Sequence, residues 1–558
     1  MKFNNMKSLI PVAAFTLMIG FSSCVGDLDV KPINPQQTMT LDQNALFNKI
    51  YASFCLTGQT GPSGNADIDD MDEGRSEFFR MAWNLNELTT DEAHWIWFTD
   101  TGMDEMLHNS YGASAAFSIG LYYRLYFTVT LCNFFLEQIP DDGGTSSMQR
   151  AEVRFIRALQ YYYIMDLYGN AAFTEEVSSE LAERYTRTQY FDYIEKELTI
   201  DKLDRKIEYT PDKTEYIYGE ECEADMAEPG QNTYGRVDKV AAWNLLARLY
   251  LNAEVYTGTA QWQNAMDYAE KVINNGYYHL CTEGATNPVT GEVYSAYQML
   301  FLADNNTNGA QYENIFPILF DGVTTKSYGG MNFLVLATYN STMDVTIPSG
   351  TNCSWGKCAR VRKQLLDKFY TATPPTGKTV AEMTAPANDD RALFYGDGFS
   401  ASIKDETDAT AGFACVKFRN VRSDGQSNQV VDYVNADLPF FRVAEAYLIY
   451  AEASTRLNGS NTDAKEKINE LRSRANAAQK NLYTLDDICD EWAREFWFEG
   501  RRRMDLIRFN KYAGQASYKW EWMGGTYEGA QFSNIRAIFA LPENDLANNS
   551  NLIQNPGY

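Results

Sequence analysis

Histidine, positive charge and long apolar runs are all scarce in this chain of 558 residues. The three histidines (His94, His108 and His279) are scattered and lack the spacing of a zinc site, so the sequence does not indicate a metal hydrolase. Lysine and arginine number 48 against 74 acidic residues, and the resulting net charge of −26 disfavours binding to nucleic acid. No stretch reaches the ~20 apolar residues of a membrane-spanning helix. We therefore expect no nucleic-acid partner and no membrane-spanning segment.

The nine cysteines are irregularly spaced, which is not typical of a small disulfide scaffold. Cys353 and Cys358 are close enough in sequence to close a local loop. A disulfide between them and two free thiols are equally compatible with the sequence.

The N-terminal segment has the features of an export signal. Lys2 and Lys7 precede an apolar run over 9–20, and small residues then lead to Cys24. Small residues directly before a cysteine resemble a bacterial lipobox, in which Cys24 would become the lipid-carrying first residue. The alternative is a plain secretory signal, in which the cysteine has no special role. The lipobox interpretation makes 1–23 a lipoprotein signal peptide.

Aromatic residues are abundant, with 36 Tyr, 31 Phe and 10 Trp, so the chain can bury a large core. Apolar periodicity indicates helices over 122–139, 151–168, 237–251, 262–273, 443–456, 464–477 and 485–509. A stretch rich in Gly, Asn, Thr and Asp, 278–438, separates the two helical groups, and such long irregular segments often carry binding residues. In the last helix we expect Arg501–Arg503 to serve in ion pairs and packing rather than in ligand binding.

Motifs distributed over essentially the whole chain form a specific pattern; they occupy 151–158, 166–169, 235–242, 441–452, 492–506 and 554–558. On these motifs the chain resembles the SusD/RagB family of outer-membrane nutrient-binding lipoproteins of Bacteroidetes. The resemblance implies a mainly α fold, in which tetratricopeptide-like helical hairpins carry a loop-rich ligand-binding subdomain. It also implies a partner, a TonB-dependent transporter of the SusC type, over which the lipoprotein acts as a lid.

The resulting prediction of domain organisation follows the chain from end to end. It comprises a lipoprotein signal peptide (1–23), a lipidated tether (24–40), an N-terminal loop-rich segment contributing to the ligand site (41–120), tetratricopeptide-like helix pairs (121–276), an irregular ligand-binding insert (277–438), and C-terminal helices with a tail (439–558).

Within the family, two regions are most similar to a starch-binding member. This resemblance implies an aromatic arc for α-glucan made of Trp97, Tyr328 and Trp355, surrounded by the polar groups of Asp72, Arg80 and Asp100. Asp100 replaces an Asn of that relative, so the acceptor is kept and the amide donor is lost. Sugar rings present apolar faces that pack on aromatic faces, and their hydroxyls need donors and acceptors.

Taken singly, a tryptophan is more often a core residue than a ligand platform. Trp355 lies among Gly, Ser, Asn and Lys, where burial is harder to achieve. Trp95 would point away from Trp97 on an extended segment, and we expect it to pack in the core.

A second candidate site begins at Asp304. The segment with Asp304, Asn306 and Asn308 matches the first half of a calcium loop, and the resemblance adds Asp437 from a distant loop. The glutamate expected at position twelve is absent, and the alternative interpretation is an Asn-rich surface turn. We expect no required cofactor, and any calcium here would be structural.

The function predicted from the sequence is capture of starch or related α-glucan at the cell surface and delivery to the transporter, without catalysis. The membrane contact would be through the lipid anchor alone. One alternative keeps the scaffold and changes the ligand to another glycan or a peptide. The other alternative is a glycoside hydrolase, but nothing in the sequence singles out the carboxylate pair that such an enzyme needs.

Overall fold

Helices make up most of the regular structure, and the strands are short, which confirms the mainly α prediction. The computed structural model describes residues 41–68, 71, 74–98, 100–199, 206–207, 216–217 and 225–558. The predicted signal peptide and tether, with Cys24, and the predicted ligand residue Asp72 lie outside these ranges. Within them, none of the helices combines the length with the apolarity that crossing a bilayer requires.

The helices before the loop-rich insert are α1 (Gln43–Ala52), α2 (Phe78–Asn86), α3 (Met103–Leu107), α4 (Ala116–Gln138), α5 (Thr145–Tyr168), α6 (Arg187–Leu198), α7 (Lys239–Leu251), α8 (Ala253–Thr257) and α9 (Trp262–Ile273). The insert contains α10 (Ala296–Met299), α11 (Gly330–Thr338), α12 (Lys363–Phe369) and α13 (Val380–Ala387), and it is followed by α14 (Val443–Asn458), α15 (Thr462–Arg474), α16 (Leu485–Phe496), α17 (Arg502–Arg508) and α18 (Glu543–Asn548).

Strands form antiparallel pairs. The pairs are β1 (Ala93–Trp95) with β9 (Ala359–Val361), β2 (Ala171–Phe173) with β3 (Glu183–Tyr185), β4 (Lys206–Ile207) with β5 (Tyr216–Ile217), β6 (Ala285–Thr286) with β7 (Val293–Tyr294), β8 (Asn314–Ile318) with β12 (Leu438–Arg442), and β10 (Phe394–Tyr395) with β11 (Ala414–Cys415).

The long helices pack in tetratricopeptide-like pairs. In chain order the contacts run α4 on α5, α5 on α6, α7 on α9, α9 on α14, and α14 on both α15 and α16. The contact of α9 with α14 joins helices that lie on opposite sides of the long insert in sequence. The two predicted helical groups therefore form one stack, and Phe47–Tyr558 is one compact unit. The exact domain boundaries stay a prediction.

The helix predicted over 485–509 is wrong as a single element, because it is two helices, α16 and α17. Phe498 and Gly500 lie between them with φ values of 64° and 77°. Left-handed backbone cannot continue a right-handed helix, so α16 ends before these residues. The other predicted helices are present, with ends shifted by a few residues, and α4 begins earlier than expected.

Ion pairs, as predicted, account for the charged residues of this segment. Glu495 of α16 binds three arginines: Arg442 at 2.7 Å, Arg391 at 3.1 Å, and Arg474. All four side chains are inaccessible to solvent. Burial alone would raise the pKa of Glu495, but the three guanidinium groups outweigh it and lower the pKa to about 2.

We predict that Glu495→Gln lowers the free energy of unfolding by about 3–5 kcal/mol, because it removes a carboxylate shared by three buried guanidinium groups and leaves them only their other acidic partners. Urea titration followed by circular dichroism measures this loss. The matched control is Asp367→Asn, which breaks the exposed pair of Asp367 with Lys363 and should cost at most about 0.5 kcal/mol. Equal losses in the two variants would contradict the structural role of Glu495.

Candidate functional site: an aromatic cleft

The antiparallel pairing of β1 with β9 brings two of the predicted aromatic residues to the same end of a small sheet. Trp95 pairs with Ala359 in this ladder, and the N–H of Ile96 continues it by donating to the carbonyl of Cys358 at 2.8 Å. Trp97 follows β1, and Trp355 precedes β9. Because antiparallel strands place the end of one beside the start of the other, these two residues lie at the same end of the sheet.

Side chains alternate across this strand, as the sequence predicts. Trp95 is 2% exposed and stacks on Phe333 with ring centroids 6.0 Å apart, whereas Trp97 is 45% exposed. Phe333 lies on α11 and also packs against the ring of Trp355, with ring centroids 6.1 Å apart. Phe333 therefore forms the buried support of the aromatic cluster.

Two glycines allow the Tyr328 segment to pass close to α2. A Cβ on Gly329 would lie 2.2 Å from the carboxylate of Glu77, and a Cβ on Gly330, whose φ is +49°, would lie 2.0 Å from the ring of Phe320. Glu77 caps α2 by accepting from the N–H of Arg80 at 2.7 Å, and it also accepts from the N–H of Gly330 at 3.1 Å. One carboxylate therefore fixes the starts of both α2 and α11.

Arg80 lies between the loops that form the cleft. Its Nη1 donates to the carbonyl oxygens of Gly74 at 2.7 Å and Tyr328 at 3.2 Å. Its guanidinium carbon lies 5.0 Å from the ring centroid of Trp355. In the structure Arg80 thus positions Tyr328 and Trp355, and its predicted hydrogen bond to a sugar hydroxyl stays a prediction.

These residues line a concave surface, hereafter the aromatic cleft, of about 690 Å³. The described lining comprises Gly74, Arg75, Arg80, Tyr328, Leu336, Asn352, Cys353, Ser354, Trp355, Asp432 and Tyr433. The rings of Tyr328 and Trp355 have centroids 6.3 Å apart and planes inclined by 65°. The volume lies in the range of small-ligand sites, and the lining combines aromatic faces with polar groups.

Of the six predicted ligand residues, three line the aromatic cleft: Arg80, Tyr328 and Trp355. Trp97 contacts Trp95 of the same aromatic cluster, with ring centroids 6.5 Å apart, but it is outside the described lining of the cleft. Asp100 is half-buried beside Trp97, whose carbonyl accepts its N–H at 3.0 Å. Their contact with ligand stays a prediction.

Tyr433, Asp432 and Asn352 also line the cleft and were not predicted from the sequence. A weak signal for Tyr433 exists, because Ser, Asn and Asp residues lie within six positions of this large aromatic residue. The two loops contact each other, because the N–H of Asn352 donates to the carbonyl of Val431 at 2.9 Å.

A second, smaller cavity of about 310 Å³ is lined mainly by apolar groups, among them Phe47, Phe316 and Leu319. The predicted ligand residues do not belong to its described lining. A lining of this kind offers few partners for hydroxyl groups, so the aromatic cleft is the better candidate for a polar ligand.

The predicted calcium ligands bind other partners. Both carboxylate oxygens of Asp304 accept from Ser423, and Oδ1 of Asp437 accepts from the N–H of Phe320 at 2.8 Å. Burial raises the pKa of Asp437 to about 7. Asn306 is exposed, and Asn308 donates to the carbonyl of Met299.

In the structure these residues form a hydrogen-bonded loop. Among the described residues there is also no group of three or more His, Cys, Asp or Glu that could hold a metal ion. Calcium binding stays a prediction.

Cys353 and Cys358 are free thiols, so the open question of a disulfide is answered in favour of the unpaired form. Cys358 is buried, and its Sγ contacts the carbonyl of Ala337 at 3.5 Å. Cys353 is the one exposed cysteine among the described residues and lies in the lining of the aromatic cleft.

Comparison with known proteins places this chain in a family. A model described as the SusD family matches residues 349–558. The starch-binding protein SusD of Bacteroides thetaiotaomicron is 38% identical over 100% of both chains. The chain belongs to the SusD family.

More distant relatives agree with this assignment. A SusD-like protein of Bacteroides ovatus is 24% identical over 91% of this chain and 83% of its own. A SusD superfamily protein of Parabacteroides distasonis has the same fold, with a TM-score of 0.63 at 19% identity over 92% of this chain and 98% of its own. Surface glycan-binding protein A of B. thetaiotaomicron, solved in complex with laminarihexaose, has a TM-score of 0.63 at 17% identity, with 92% and 98% covered.

Titration of Glu77 should make stability depend on pH. Burial raises its pKa from 4.5 to about 7, so between these two pH values the folded protein still holds a proton that the unfolded chain has released. This group therefore stabilises the fold fully below pH 4.5, and the contribution is lost as the pH rises to 7.

We predict that the free energy of unfolding falls less between pH 4.5 and 7 in Glu77→Gln than in wild type, by up to about 3 kcal/mol, because the variant has no proton to lose at this position. Urea titrations of wild type and variant at several pH values measure the difference, in which the other titrating groups cancel. Parallel pH profiles for the two proteins would contradict the assignment.

Proposed function

We propose that this protein binds α-glucan oligosaccharides in the aromatic cleft without cleaving them. It does so as a lipoprotein attached to the outer membrane through Cys24, and it passes the glucan to a SusC-type TonB-dependent transporter. The observation that carries the proposal is the pair of inclined rings, Tyr328 and Trp355, which line one cleft with Arg80 between them.

The geometry of these rings favours a curved ligand. Successive sugar faces of an α-linked glucan turn along the chain, and faces inclined by 65° can contact two of them at once. Each contact removes apolar surface from water. Asn352, Ser354 and Asp432 supply polar groups beside the rings, where sugar hydroxyls need partners.

One relative supports α-glucan as the ligand, and another supplies a contrasting glycan for the test. The similar protein from B. thetaiotaomicron is named for starch binding, and it covers the whole chain. The neighbour in complex with laminarihexaose is only 17% identical and supports the fold alone. A laminari-oligosaccharide is therefore the informative competitor in a binding test.

We predict that maltoheptaose and a cyclodextrin bind in isothermal titration calorimetry, while cellohexaose and laminarihexaose bind at least tenfold more weakly. Trp355→Ala and Trp97→Ala should each weaken maltoheptaose binding by roughly tenfold, because each removes an aromatic face. Tyr312→Ala is the matched control, since Tyr312 is a half-exposed aromatic residue that is absent from the cleft lining.

Two further readouts complete this experiment. Maltoheptaose in the cleft should slow alkylation of Cys353 by a maleimide, measured by peptide mass spectrometry. Incubation with the oligosaccharide should release no new reducing ends. Equal or absent binding of all glycans would refute the α-glucan proposal, and new reducing ends would indicate a hydrolase.

The anchor generates a separate prediction. Cys24→Ala removes the thiol that would carry the lipid, so the protein should move from the outer-membrane fraction to the soluble fraction and lose label from radioactive palmitate. Cys353→Ala is the matched control and should leave both unchanged. Membrane association that survives Cys24→Ala would contradict attachment through this residue.

A further inference from the structure

Tyr433 is a third aromatic residue in the cleft, on the loop before β12. Its ring is half-buried, with its centroid 6.1 Å from that of Tyr328 and its plane inclined by 26°. Trp355 lies 6.3 Å from Tyr328 and is inclined by 65°. Tyr328 therefore has an aromatic neighbour on two sides, and the aromatic surface of the cleft continues beyond the predicted pair.

The loop that carries Tyr433 is fixed relative to the loop that carries Tyr328. The buried side chain of Asn332 on α11 donates to the carbonyl of Ser327 at 2.8 Å and accepts from the N–H of Val434 at 3.2 Å. These bonds are made by the residues directly beside the two tyrosines. One amide thus holds both rings at a set spacing.

Two more bonds fix the other side of this loop. The N–H of Asn352 donates to the carbonyl of Val431, which joins the loop to the Trp355 segment. The N–H of Asn435 donates to the side-chain oxygen of Asn420 at 2.8 Å. Tyr433 is therefore held in the lining of the cleft by backbone contacts on both sides.

The polar surroundings of Tyr433 suit a sugar. The hydroxyl of Tyr433, whose pKa is raised from 10 to about 12 by partial burial and the neighbouring hydroxyl of Tyr328, is a hydrogen-bond donor at neutral pH, as any tyrosine hydroxyl with a pKa of 10 or more is. The exposed carboxylate of Asp432 also lines the cleft and can accept from a hydroxyl. The ammonium of Lys326 lies 5.7 Å from the ring centroid of Tyr433.

We propose that Tyr433 is a sugar-contacting residue that extends the aromatic surface past Tyr328, so that the cleft favours longer α-glucan chains over short ones. Asp432 accepts a hydroxyl of the same sugar unit. This inference rests on the proposed α-glucan function. It assigns the selection of chain length to a loop more than 75 residues from Trp355 in sequence.

The test compares maltotriose with maltoheptaose by calorimetry for wild type, Tyr433→Ala and Tyr433→Phe. We expect Tyr433→Ala to weaken maltoheptaose binding by roughly tenfold and maltotriose binding by less than twofold, because the short ligand can be held by Trp355 and Tyr328 alone. Tyr433→Phe keeps the ring and should retain most of the affinity. Tyr312→Ala is again the control, and thermal melting checks that each variant is folded.

If Tyr433→Ala binds maltoheptaose as tightly as wild type, or loses affinity equally for both ligands, the role of Tyr433 is overturned. The proposed function still stands in that case, provided that the wild-type protein binds maltoheptaose. A wild-type protein that binds neither ligand would instead refute the proposed function, and the assignment with it. The two failures are therefore distinguished by the wild-type titration.

Discussion

A single buried carboxylate joins three distant parts of the chain. Glu495 on α16 binds Arg442 at the end of β12, Arg474 at the end of α15 and Arg391 in the insert. Glu313, Glu491 and Glu499 pair with the same arginines, so a network of buried charges that includes Glu495 holds the three segments together. The helical stack and the loop-rich insert thus share a fixed junction, and the cleft depends on it, since most of its aromatic residues belong to the insert.

Buried aromatic packing, rather than further ion pairs, positions the residues of the cleft. Phe333 on α11 contacts Trp95, Trp355 and the guanidinium of Arg80, and is itself inaccessible. Glu77 ties the start of the same helix to α2. Residues that touch no ligand therefore decide where the exposed faces lie, as expected for a binding surface built on loops.

Sequence patterns predicted the helices better than the cleft. Apolar periodicity is local, so the α9 segment was located correctly, whereas the break before α17 depends on a left-handed Phe498 that has no local signature. The resemblance named Arg80, Tyr328 and Trp355, and the structure brings them together. Tyr433 was missed because its place beside Tyr328 depends on Asn332, a contact across more than 100 residues.

The loops around the cleft are irregular but already ordered. The N–H of Trp355 donates to the carbonyl of Leu336 at 2.7 Å, and Asn332 joins the Tyr328 and Tyr433 loops. A ligand that matches the rings therefore binds without the free-energy cost of ordering these loops. Glucans of different linkage carry the same kinds of hydroxyl group, so hydrogen-bond count alone discriminates poorly among them. Under the proposed function, the inclination of the rings would discriminate better, since a chain of different curvature cannot contact both faces at once.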